Sequence, residues 1–147
     1  MKSQENQSAL WLKRLLFLAG GMLLLAVVPI FFPVSLMAQI HGLVGLGEFP
    51  EDPIVLYLAR STSLLYAVHG SVMLTVALNL NRYQGMVPLL GWLHIVIGIA
   101  MLGIDLTAPM PWYWTAFEGG PIALGGVLIL WLNTRAFPGQ NSTSANQ

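Results

Sequence analysis

Charged residues in this chain are few, and they are placed so that they leave apolar runs as long as a bilayer is thick. Leu15 to Met37 carries no charge at all. Ile54 to Leu80 is interrupted only by Arg60 and His69. Met86 to Ile104 holds His94 and closes on Asp105. A fourth run ends near Asn133; counted from Pro111 it is long, and it then holds Glu118 and Pro121 inside it. A hydrocarbon core of about 30 Å needs around 20 mostly apolar residues per helix. The runs lack the alternation of a barrel strand and are about twice its length.

Composition narrows the classes further. Only 8% of the 147 residues are charged, against roughly 25% in soluble domains. Six Lys and Arg balance six Asp and Glu, so a basic face for nucleic acid is excluded. With no cysteine, disulfide scaffolds, thiolate nucleophiles and Cys-ligated metal sites are excluded as well. The expected fold is all-α: an integral membrane four-helix bundle in one domain over about 1–137, with spans near 11–37, 54–80, 86–106 and 112–134. Asn79 to Gly85 reads as a short turn, Glu48 to Pro53 as a breaker, and Thr107 to Pro111 as a second one. The polar stretch 138–147 and the first nine residues are expected to be disordered.

Lys2, Lys13 and Arg14 precede the first span, Arg82 lies in the second loop and Arg135 follows the fourth span. The loops at about 38–53 and 107–117 hold no Lys or Arg. The positive-inside rule therefore puts both termini in the cytoplasm. The outer side is then acidic (Glu48, Glu51, Asp52) and aromatic (Trp112, Tyr113, Trp114, Phe117), and these aromatics suit an interfacial belt. His41 falls in the first outer loop and is expected to be solvated. Lys13-Arg14, the apolar run and Ser35-Leu36-Met37-Ala38 also resemble a signal peptide. The run exceeds the usual h-region of roughly 7–15 residues, so a retained span is the preferred reading.

Function has to be sought in the polar residues inside the spans, because such groups are expensive in lipid. Arg60, Asp105 and Glu118 lie at similar depth near the outer ends of their spans. They suggest a cluster in which arginine holds a carboxylate with two bonds, either as a structural clamp or as an anion or headgroup site. His69 and His94 form a deeper pair at matching depth. Two facing histidines would suit haem b, with Gly91, Gly98, Gly70 and Ser71 making room; satisfied histidines bonded to a neighbouring helix are the plainer reading. At 100° per residue His94 and Asp105 share one face with Gly91 and Gly98. Arg60 groups with Ser63, Ala67 and Ser71, and His69 with Thr62, Tyr66 and Met73, on the opposite face. One bundle interior would not serve both faces, which points to an oligomer or a partner subunit. Gly119, Gly120, Ala123, Gly125 and Gly126 offer close approach to another helix.

There is no Gly-x-Ser-x-Gly elbow, phosphate-cradling loop or His-Glu-x-x-His, and no metal site is expected. Proton transfer on an apolar substrate could use His94, Asp105 and Glu118, with Trp92 or Trp112 as a wall, though nothing in the spacing demands it. Tyr57 to Tyr66, Gly103-Ile104-Asp105-Leu106, Pro111 to Trp114 and Glu118 to Pro121 resemble segments of small bacterial four-helix membrane proteins, the DoxX-like set being the nearest named group. The resemblance implies a bacterial inner-membrane bundle, sometimes associated with respiratory or redox partners, and carries no active site. Two functions follow as expectations. One is an accessory or structural subunit that binds lipid, a small ligand or another subunit through the outer cluster. The other is a redox or proton-handling protein using His69 and His94 with haem or quinone.

Overall fold

The structure is a computed structural model, and it describes residues 2–50, 52–108 and 110–138. The polar tail from 139 onward and Glu51 lie outside these residues. Every element among the described residues is helical. In chain order they are α1 (Lys2–Leu24), a 3-10 stretch (Leu25–Phe31), α2 (Val34–Leu43), α3 (Pro53–Leu78), the short α4 (Leu80–Tyr83), a 3-10 turn (Gln84–Met86), α5 (Val87–Thr107), α6 (Trp112–Phe117) and α7 (Gly119–Ala136). Four stretches are long and apolar enough to cross a membrane: Gln4–Phe31, Pro53–Leu78, Leu80–Thr107 and Trp112–Ala136.

The local chemistry explains most of the ends. Asp52 accepts the Ile54 amide at 3.0 Å, and Pro53 occupies the first helical position of α3. This is an N-cap followed by the one residue that loses nothing by lacking an amide proton there. Pro88 sits in the first turn of α5. Ala108 is extended (φ −89°, ψ 140°) and ends α5, as the residue before a proline must be. α2 stops in a Schellman arrangement: the Leu46 amide bonds to His41 O at 3.1 Å and the Gly45 amide to Gly42 O at 3.0 Å. Gly45 supplies the positive φ of 77° this motif needs.

Three expectations are corrected. The first nine residues are not disordered from the start: α1 begins at Lys2, because nothing between Lys2 and Leu24 breaks a helix, neither proline nor a glycine cap. The first span is not one helix over 11–37. It leaves helical geometry at Phe32 (ψ 136°) and Pro33 (ψ 151°) and restarts as α2. Pro33 forces the residue before it out of the helical region and brings no amide proton to continue the ladder. α2 then takes up much of the stretch read as outer loop. The fourth span is likewise interrupted, at Glu118 (φ −100°, ψ −84°), which closes α6 and opens α7.

The chain divides into two compact units, one of Met1–Leu18 with Thr75–Gln147 and one of Ala19–Leu74. In the first, α5 and α7 form an antiparallel pair built on glycines. A Cβ on Gly91 would stand 2.7 Å from Leu130 Cδ2, and one on Gly126 2.5 Å from Gly91 O. A Cβ on Gly98 would stand 2.6 Å from Gly119 O, and one on Gly119 2.6 Å from Gly98 O. The two glycines of each helix are seven residues apart, two turns, so both fall on one face and meet their counterparts in register. In the second unit α1 and α3 approach in the same way: a Cβ on Gly70 would lie 2.6 Å from Gly20 O. Small residues let helix backbones approach closely where no hydrophobic force drives association.

Candidate functional site: a buried polar stripe

The buried face of α5 is Val87, Leu90, Gly91, His94, Gly98 and Asp105. This is the stripe that helical periodicity places together, and it faces inward. His94 is 7% exposed and Asp105 5%. His94 Nδ1 lies 2.9 Å from Leu90 O, one turn earlier in its own helix. A carbonyl only accepts, so Nδ1 carries the proton. The space beside His94 is taken. Gly91 and Gly98, which would have made room for a macrocycle, are closed by Leu130, Gly119 and Ala123 of α7. The donor set on that side therefore does not fit haem. His69 is half-buried on α3, in the other unit.

At the other end of α5 the structure brings Asp105 and Glu118 together as electrostatic neighbours. Glu118 sits at the break between α6 and α7, and its Oε2 accepts a hydrogen bond from the Trp114 indole. Trp114 is four residues earlier, one helical turn, so this partner was findable from spacing alone. Asp105 Oδ2 is buried with no hydrogen-bond partner among the described residues. Asn133 Oδ1 on α7 is in the same state; the sequence reading did not single it out, since it stood at the end of a run. Trp112 is 77% exposed and stacks edge-on against Tyr113 at 6.1 Å, which suits an interfacial aromatic.

Arg60 belongs to the second unit, whereas Asp105 and Glu118 belong to the first. Its Nη2 donates to Phe32 O at 3.2 Å. That carbonyl is where the first span stops being helical: the amides of Leu36 and Met37 turn to Pro33 O instead. Arginine thus supplies a donor to a backbone acceptor stranded by Pro33, a role the sequence did not signal. Arg60 Nε is buried without a hydrogen-bond partner among the described residues. The buried seam of α3 within this unit is Ala67, Gly70 and Met73. Arg60 flanks it on the Ala67 side and His69 on the Met73 side, both half-buried. The two polar groups stand at the edges of one seam rather than on two separate interior faces.

His41, expected in a solvated loop, lies in the last turn of α2. Its Nδ1 is 3.1 Å from Gly47 O and its ring meets Phe49 edge-on at 5.4 Å, which ties the following loop back onto the helix. No group of three or more His, Asp or Glu side chains able to hold a metal comes together among the described residues. Comparison with protein families, with curated proteins and with solved structures finds no match.

Proposed function

We propose that this chain is a multi-pass protein of the bacterial inner membrane, with both termini in the cytoplasm, that acts as a non-catalytic accessory subunit binding lipid and other membrane helices. The observation that carries this reading is how little of each span the protein covers by itself. Between 11% and 28% of the most apolar window of each span is buried. The rest, including Phe17, Met22, Leu65, Val96 and Leu124, needs a lipid or protein neighbour. The polar residues support the same reading. His94 and Glu118 bond within one turn of their own position, and Arg60 bonds to the backbone. These are bonds that hold helices in place. The resemblance to the DoxX-like set agrees with the location. Assembly as a homo-oligomer or with another subunit belongs to the same proposal, as does an outward ligand site at Asp105 and Glu118.

Two measurements test it. Membranes bearing the protein are washed with alkaline carbonate, and the protein is then taken into mild detergent for native mass and absorbance. The expected result is retention in the washed membrane and a colourless species, alone or in assembly, with lipid attached. Release by carbonate would overturn the membrane reading. A Soret band in the purified protein would overturn the accessory reading in favour of the histidine pair as a haem site.

A further inference from the structure

A groove lies at the cytoplasmic end of the first unit, between α1 and the C-terminal half of α7. It has a volume of about 1320 Å³, larger than the roughly 300–1,000 Å³ of ordinary small-molecule clefts. Its lining is largely apolar, with Leu15 and Leu18 of α1 and Leu128 and Leu132 of α7. Lys13, Arg14 and Arg135 also line it, three of the six Lys and Arg in the chain. One acid, Glu5, also borders it.

We infer that this groove holds one anionic phospholipid of the cytoplasmic leaflet, its phosphate between Arg14 and Arg135 and an acyl chain along the leucines. The inference rests on the membrane reading above and names the lipid that reading requires. Three features converge on it. The charge is complementary: three cations and one acid line a groove whose leucines suit hydrocarbon. Basic pockets between spans on the cytoplasmic side are a recognised site for acidic headgroups.

The arginines are also held in place. Arg14 Cζ lies 5.2 Å from the centre of the Trp11 ring and Arg135 Cζ 4.3 Å from that of Trp131. A guanidinium stacked on an indole keeps its edge N–H groups free to donate two parallel bonds to a phosphate. Thirdly, the depth is right. Trp11 and Trp131 border the groove at the level where amphipathic rings sit among headgroups. The spacing of each pair along its helix, three residues for Trp11 and Arg14 and four for Trp131 and Arg135, puts ring and cation on one face.

The test compares phosphatidylglycerol with phosphatidylcholine added to full-length protein in mild detergent, read by native mass spectrometry. The unaltered protein is expected to retain one phosphatidylglycerol at least tenfold more tightly than phosphatidylcholine. The double variant Arg14→Gln/Arg135→Gln should lose about tenfold of that preference, and Arg14→Lys/Arg135→Lys should keep part of it, because the charge stays and the fork does not. Arg82→Gln, at a basic residue of α4 outside the groove, should keep all of it. No preference in a protein that survives the carbonate wash overturns the lipid site while leaving the membrane reading intact. Release in the wash overturns the membrane reading itself. An equal loss in Arg82→Gln would also overturn the site, since it would reduce the effect to diffuse surface charge. Should the glutamine pair fail to fold, the lysine pair decides: undiminished preference, with no contribution from the fork, counts against the stacked geometry.

Discussion

Arg60 and Asp105 are opposite cases of a charge in an apolar span. Arg60 donates to a carbonyl that Pro33 leaves outside the helical ladder, so its removal strands a backbone acceptor. Arg60→Ala is expected to lower stability by about 1–3 kcal/mol, the usual cost of an unsatisfied buried group, with Arg60→Lys recovering part; thermal unfolding followed by tryptophan emission in detergent measures both. Asp105 has an oxygen with no hydrogen-bond partner among the described residues and a second carboxyl, Glu118, beside it. An amide in its place gives the buried position a neutral side chain and removes one of two adjacent carboxyls. Asp105→Asn is therefore expected to raise the unfolding temperature. A fall instead would show that the carboxyl is itself a stabilising group.

At the scale of helices, the glycines of α7 divide into two kinds that the sequence does not distinguish. Gly119 and Gly126 are closed by α5, while Cβ atoms on Gly120 and Gly125 would meet nothing within 4 Å. Gly98→Val and Gly126→Val put a branched side chain against backbone atoms that have nowhere to go. Each is expected to cost about 3 kcal/mol or more, or to prevent folding. Gly125→Ala is expected to be neutral or to stabilise by up to about 1 kcal/mol, the difference in helix propensity between the two residues. Expression and melting of the pair check this; an equal loss in Gly125→Ala would mean that a second surface packs against that side. Helix ends were legible where they depend on neighbours in the chain, as at Asp52-Pro53 and at Ala108. The break at Phe32–Pro33 carried a legible signal too, the proline itself, but the apolar run on both sides hid it: hydropathy does not register a lost amide proton.

For the whole molecule, the asymmetry of charge predicts orientation. A green fluorescent protein fused after Gln147 should fluoresce, since it folds only in the cytoplasm, and an alkaline phosphatase fused there should be inactive. The reverse pattern would invert the orientation and move the Lys13, Arg14 and Arg135 groove to the outer leaflet. The aromatic–cation pairs that line this groove were written in the sequence as i, i+3 and i, i+4 neighbours. The groove was not, because it needs two segments from opposite ends of the chain. By itself the sequence determined the helical class of this protein, the approximate positions of four stretches long and apolar enough to cross a membrane, and the polar face of α5. All of these follow from hydropathy and period, which are properties of neighbouring residues. The tertiary structure alone decided which glycines are closed and what Arg60 binds, because those depend on the rotation and register of one helix against another.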